Sequence, residues 1–103
     1  MVHVRKVYPE YFEALLSGKK RFEIRQEDPS GEKFSVGDYL ALNEFLPEGE
    51  HLLKPSRYSG RCLLFRIPYI LRASDFPSLL QPGAVVLSLE LMPLSLDDLR
   101  AGR

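Results

Sequence analysis

Apolar and polar positions alternate along much of the chain with the period of two that is typical of β-strands. Residues 9–17 have instead the spacing of an amphipathic helix, and Gly18 follows as a left-handed C-terminal residue. Strands are predicted over residues 3–7, 20–25, 39–45, 58–71 and 83–91, the last of these as a central strand. This pattern predicts a mostly β (α+β) fold, a small β-barrel with one early α-helix capping its open end.

Pro and Gly residues, which interrupt helices and strands, indicate the irregular segments. Residues 26–33 form a polar loop, residues 46–57 a longer surface loop, and residues 75–81 a helical turn. Residues 1–91 are therefore predicted to be a single domain. Residues 92–103 form a tail, either a short helix or partly disordered.

Composition restricts the function classes. A chain of 103 residues with 45% hydrophobic residues fills one core, and 14 basic side chains balance 14 acidic ones. The charge is uneven along the chain: residues 1–25 hold six basic and three acidic side chains, whereas residues 26–50 hold one and seven. Residues 51–75 are again basic. Because the whole chain has no net charge, any nucleic acid must be held by a local patch of basic side chains.

Cysteine and histidine usage argues against several chemistries. Cys62 is the single cysteine, which excludes an internal disulfide, and its apolar neighbours predict a core position. His3 and His51 lack metal-ligand spacing, so we expect no metal and no cofactor. We also expect no membrane partner, because apolar runs are far shorter than the ~20 residues of a membrane span. The N-terminus lacks a signal peptide's apolar stretch, which predicts a cytoplasmic location.

The densest cluster of charge is residues 18–25 (Gly-Lys-Lys-Arg-Phe-Glu-Ile-Arg). In one interpretation its charged side chains form the solvated face of a strand and complement the end of the helix. In the other, that face lines a ligand cleft, with Phe22 and Ile24 on the opposite face. The candidate ligand-binding or RNA-binding residues of this segment are Lys19, Lys20, Arg21, Glu23 and Arg25.

Several motifs in combination resemble the ASCH domain, a branch of the PUA-like superfamily. The similarity spans about residues 3–91 and is greatest to small stand-alone bacterial and phage members. It rests on Leu15-Leu16-Ser17-Gly18-Lys19-Lys20, Phe22-Glu23-Ile24-Arg25, Phe34-Ser35-Val36-Gly37-Asp38, Tyr58-Ser59-Gly60-Arg61 and Gly83-Ala84-Val85-Val86-Leu87-Ser88-Leu89.

This resemblance implies a β-barrel with a cleft beside the Gly-Lys segment that binds RNA or a nucleotide. A distant branch of the family hydrolyses the amide of N4-acetylcytidine with a Lys, a Thr three residues later and a Glu further on. Lys20 matches that Lys, but Glu23 occupies the Thr position, so the hydroxyl nucleophile is missing. Asp75 is the nearest carboxylate in the loop that corresponds to the third residue.

Other side chains are candidates for the same cleft. Glu44 either pairs there with Lys20 or Arg25 or is a solvated charge at a strand end. Tyr58 and Arg61 either stack on a base and contact phosphate or pack a turn. The side chains predicted to pack the helix onto the barrel are Tyr8, Tyr11 and Phe12, with a stacking role as the alternative for Tyr11. Arg66 and Arg72 are predicted to be solvated.

Three functions therefore stay open. The first is an RNA- or nucleotide-binding domain with a cationic cleft. The second is an amidohydrolase acting on an N4-acylated cytidine nucleoside, with Lys20 and Glu23 as its catalytic residues and Glu44 as an alternative proton shuttle. The third is a protein-interaction accessory domain. The sequence leaves the oligomeric state open.

Overall fold

The structure is a computed structural model that describes residues 1–47 and 56–93. Strands make up 46% of these residues, and one α-helix lies among them, so the predicted mostly β fold with an early helix is confirmed. The elements are β1 Val2–Val7, α1 Pro9–Leu16, β2 Phe22–Gln26, β3 Tyr39–Leu46, β4 Arg57–Arg66, β5 Ile70–Arg72, a 3-10 turn Ala73–Asp75, β6 Ala84–Ser88 and β7 Glu90–Leu91. No helix in the described ranges has the length and apolar character needed to span a bilayer.

The strands form two sheets. The first has the order β1-β3-β4-β7, in which β1 runs parallel to β3 and the other pairs are antiparallel. The second is antiparallel with the order β2-β6-β5, so β6 has the central position predicted for the strand over residues 83–91. That predicted strand is divided, however, because residues 90–91 form β7 at the end of the first sheet. Among the described residues neither sheet closes into a barrel, and β1 and β2 each lie at the end of a sheet.

One hydrophobic core joins the helix to both sheets. Tyr8 precedes α1 in extended conformation, and Pro9 occupies the first turn, where a missing backbone N–H costs nothing. The helix buries Phe12 and Leu15, and the chain leaves it through Gly18 at a φ of 80°. The remaining members of the core are Val7, Phe34, Leu40, Leu42, Phe65, Ile67, Val85, Leu87 and Leu89.

The strand predicted over residues 58–71 is divided in two, β4 and β5, by a segment that contains Pro68. The core position predicted for Cys62 is wrong, because its side chain is exposed. All six residues from Arg57 to Cys62 are exposed, and burial begins only at Leu64. The first half of β4 therefore extends beyond the core, which the local apolar pattern does not reveal.

The faces of β2 are the reverse of what its hydrophobicity favours. Phe22 and Ile24 are exposed, whereas Glu23 is 4% exposed. The register with β6 is the cause, because Glu23 lies opposite the fully buried Leu87 and therefore points towards the core. The solvated-face interpretation of residues 20–25 is thus wrong for Glu23, and the strand begins at Phe22 rather than at residue 20.

Other predicted segments differ in detail. The helical turn expected over residues 75–81 begins earlier, as the 3-10 turn Ala73–Asp75, and hydrogen-bonded turns follow it. Residues 48–55, which form most of the predicted surface loop and include His51, lie outside the described residues. So do residues 94–103 of the tail.

A pair of glycine substitutions tests the backbone geometry. Gly18 and Gly83 both have a positive φ, 80° and 83°. An added Cβ at Gly18 meets nothing within 4 Å. Gly18→Ala should therefore lower the free energy of unfolding by only about 1–2 kcal/mol, the strain of an alanine in the left-handed conformation. At Gly83 the Cβ would lie 3.1 Å from the Glu27 carbonyl oxygen and would overlap the Nε2 of Gln26.

Gly83→Ala should therefore cost about 1–3 kcal/mol more than Gly18→Ala, because the backbone of the neighbouring strand must move. Urea unfolding of the two variants beside the unmodified protein measures the difference. Equal losses at the two positions would contradict the close approach of β6 to the end of β2.

Candidate functional site

A cleft of about 370 Å³ opens where the end of β1, the start of α1 and β2 meet. Two edge strands from different sheets thus form its opposite walls, with α1 between them. Its lining consists of Lys6, Val7, Tyr8, Tyr11, Lys20, Phe22, Glu23, Ile24 and Arg25. Aromatic walls with a few converging charged groups are typical of small-molecule sites.

The charged centre of the cleft is Glu23. Its Oε1 accepts a hydrogen bond from Lys20 Nζ at 2.5 Å, and its Oε2 contacts Arg25 Nε at 3.0 Å and Arg25 Nη2 at 2.8 Å. A buried carboxylate requires such charge-assisted partners, since an unpaired ion in the interior is strongly unfavourable. Both cations are held in place as a result, with Lys20 20% and Arg25 24% exposed.

Aromatic rings surround the ammonium group of Lys20. Its Nζ lies 4.9 Å from the centre of the Tyr11 ring and 5.4 Å from that of Phe22, both within cation–π distance. Glu23 engages one of the three N–H donors that an ammonium group carries. Lys20 therefore keeps donor capacity for a ligand in the cleft.

Arg25 also connects the two sheets at the base of the cleft. Its Nη2 donates a hydrogen bond to the Lys6 carbonyl oxygen at 3.0 Å. Lys6 belongs to β1 and Arg25 to β2, so this contact bridges strands that share no backbone ladder. The distance between the two walls is fixed in part by the same side chain that holds Glu23.

A second ionic cluster lies on β3 and β4. Arg61 binds Glu44 through two hydrogen bonds, from Nε at 2.9 Å and from Nη2 at 2.8 Å, and it contacts Glu13 of α1 at 2.6 Å. Its guanidinium also lies 4.4 Å from the centre of the Phe12 ring. Hydrogen bonds from Arg61, and then from Ser59, lower the pKa of the Glu44 carboxyl to about 2, and the two glutamates raise the pKa of Arg61.

The structure brings together three of the predicted site residues, Lys20, Glu23 and Arg25. The pairing expected between Glu44 and Lys20 or Arg25 is replaced by the pair with Arg61, and Glu44 is buried rather than solvated.

The other predicted residues lie outside this group. Lys19 is exposed, and Arg21 turns back to donate to the Gly18 carbonyl. Tyr58 is exposed and packs against Phe45 across the strand pair. Asp75 accepts the backbone N–H of Arg72 and does not line the cleft.

Part of the lining differs from the sequence prediction. Tyr8 and Tyr11 do not pack the helix on the core, because both are exposed and line the cleft, while Phe12 alone of the three is buried. The exposure of Tyr11 is compatible with the alternative prediction that its ring stacks on a ligand. The spacing of three between Tyr8 and Tyr11 places both on one side of the first helical turn, a signal that the pattern does contain. Lys6, at the end of β1, carried no such signal because isolated strand-end charges are common.

Another missed residue is Arg72, which is not simply solvated. Its guanidinium pairs with the buried Glu27 and donates to the Phe34 carbonyl at 2.7 Å, while Glu27 accepts the Phe34 N–H at 2.8 Å. This pair fastens the loop after β2 to β5 and lies outside the cleft. Within residues 1–47 and 56–93, no three His, Cys, Asp or Glu side chains are grouped to hold a metal ion.

The structure defines a small, mostly β domain with a cleft lined by ionic and aromatic side chains. A family model described as a domain of unknown function, DUF3850, matches residues 2–89, and the chain belongs to this family. No curated protein matches the chain. The family description names no activity, so the ASCH resemblance stays a prediction.

Acid titration tests the cluster around Glu44. The pKa of the Glu44 carboxyl is about 2 in the folded protein, against an ordinary value of 4.5. The folded protein therefore protonates Glu44 less readily than the unfolded chain does. The stabilisation is complete above about pH 4.5 and is lost as the pH falls towards about 2. Arg61→Met should therefore lower stability at neutral pH and flatten its decline across this acidic range.

Urea unfolding at several pH values measures the effect. Arg66→Met is the matched control, because Arg66 pairs only loosely, at 3.9 Å, with the exposed Glu90. If both variants kept the acid dependence of the unmodified protein, the low pKa of Glu44 would be refuted.

Proposed function

We propose that this chain is an RNA- or nucleotide-binding domain whose ligand enters the cleft between β1, α1 and β2. One observation carries the proposal: Glu23 holds both Lys20 and Arg25 in the cleft, and the ammonium group of Lys20 lies beside the exposed rings of Tyr11 and Phe22. Flat rings and fixed cations are the two elements with which proteins recognise unpaired nucleotides.

Charge and shape support the same ligand class. The cleft contains three cations, from Lys6, Lys20 and Arg25, against the single carboxylate of Glu23, so its lining is net positive although the whole chain is neutral. A phosphate is attracted to such a local excess, and a base can stack on an aromatic wall. The volume of about 370 Å³ falls in the ordinary range for small-ligand sites.

The ASCH resemblance supports the proposal further. The residues that match its signature, Lys20, Glu23 and Arg25, lie together on one wall of the cleft. We propose that the two sheets correspond to the PUA-like β-barrel, with the chain passing from β6 in one sheet to β7 in the other. RNA or nucleotides would then be bound in the cytoplasm, the location that the sequence predicts.

A second candidate, an amidohydrolase, is favoured by the contact between Lys20 and Glu23. A lysine and a carboxylate joined by a hydrogen bond inside a cleft can pass a proton between them. In this reaction water adds to the acetyl carbonyl of N4-acetylcytidine, the C–N bond breaks, and the amine takes a proton to give cytidine and acetate. Glu44 is a weaker shuttle than Glu23, because Arg61 engages it in a separate cluster.

A thermal-shift screen of nucleosides, nucleotides and short single-stranded RNA tests the binding function. Ligand at 100 times its dissociation constant should stabilise the fold by about 2.7 kcal/mol. Lys20→Ala should abolish this shift because it removes the donor at the centre of the cleft. Lys19→Ala, which removes an adjacent exposed ammonium, should keep it.

The same samples separate the alternatives. Conversion of N4-acetylcytidine to cytidine, lost in Lys20→Ala, would establish the amidohydrolase. Equal shifts in the two lysine variants would place binding elsewhere on the surface. No shift with any ligand would refute the proposal and favour a protein-interaction domain.

A further inference from the structure

A row of aromatic rings continues from the cleft onto the four-stranded sheet. Tyr8, which lines the cleft, has its ring centre 6.3 Å from that of Phe45, and Phe45 lies 5.2 Å from Tyr58 in an edge-to-face arrangement. Phe45 and Tyr58 are register partners on β3 and β4, so the sheet itself sets their spacing. The row therefore has a fixed geometry that starts at the proposed site.

The core does not account for this row. None of the three rings belongs to the buried cluster, and Tyr58 is 60% exposed at the outer end. Tyr8 and Tyr58 are exposed and Phe45 between them is half-buried, and exposed apolar surface that adjoins a cleft is typical of interaction sites.

The charges along the row favour an anionic ligand next to Phe45. Lys6 lines the cleft, and its Nζ lies 4.6 Å from the centre of the Phe45 ring, between the cleft and the outer ring of Tyr58. Arg61, by contrast, is already bound by Glu44 and Glu13 and serves to hold β4 against α1. Lys6 is thus positioned for a phosphate between two bases.

The tilt of the rings indicates a single strand. The planes of Tyr8 and Phe45 are inclined by 51° and those of Phe45 and Tyr58 by 66°, whereas successive bases in a duplex are stacked parallel to one another. Bases placed on successive rings must therefore be unstacked from one another, which single-stranded RNA permits and a duplex does not.

We infer that the site takes a single-stranded oligonucleotide rather than a lone nucleotide, with one base in the cleft and the next on the Phe45 and Tyr58 rings. This inference rests on the proposed function. It adds the length of the ligand, the direction in which it leaves the cleft and the role of Tyr58 as a stacking residue.

Calorimetric titration of the full chain tests the inference. The ligands are the four ribonucleoside 5′-monophosphates and their homo-oligomers of two to four residues. Affinity should rise from the monophosphate to the dimer, the shortest ligand that supplies both bases. Tyr58→Ala should weaken oligomer binding by about 5- to 150-fold, the loss of one stacked base, and leave monophosphate binding unchanged.

Tyr69→Ala is the matched control. Tyr69 is also 60% exposed but lies just before β5, away from the row, so its variant should bind every ligand like the unmodified protein. Because both tyrosines are exposed, neither substitution removes a core contact, and melting curves of the two variants verify the fold.

The outcomes distinguish the two proposals. If monophosphates bind through Lys20 but oligomers bind no tighter, or if Tyr58→Ala and Tyr69→Ala behave alike, the extended site is overturned and the cleft stands. If no ligand binds, both fail. If oligomer binding depends on Tyr58 but not on Lys20, no base occupies the cleft, and both the cleft function and the extended site are overturned.

Discussion

The buried carboxylate of Glu23 is the constraint on which the site depends. An ionised group that is 4% exposed is stable only with charged partners at hydrogen-bond distance, and Lys20 and Arg25 provide them from either side along the chain. Arg25 then donates to the Lys6 carbonyl of β1. The guanidinium of Arg25 thus neutralises the buried carboxylate of Glu23 and also bridges the edges of the two sheets.

This arrangement explains why a cleft exists at all. β1 and β2 are edge strands, and side-chain contact replaces a backbone ladder between them. The residues that hold the two edges together, Glu23 and Arg25, are also part of the cleft lining. Substituting either one therefore alters both the internal ion cluster and the cleft.

Two further buried glutamates follow the same rule. Glu27, just after β2, pairs with Arg72 of β5, and Glu44 of β3 pairs with Arg61 of the neighbouring strand β4. Removing one partner of such a pair leaves a charge in the interior, which is costly, whereas the intact pair adds little net stability. We interpret the pairs as devices that fix the position of segments, the loop after β2 and the junction of β4 with α1.

The sequence by itself determined the local elements: the helix from Pro9, the turn at Gly18 and the predominance of short strands follow from periodicity, capping and glycine. Register and sheet order decided the rest. The inward position of Glu23, the exposure of Cys62 and the partner of Glu44 all depend on which strand lies opposite, and strand pairing joins residues that are far apart in the chain. Local patterns carry the period of a strand but not the identity of its neighbour, so only the tertiary structure assembles the cleft.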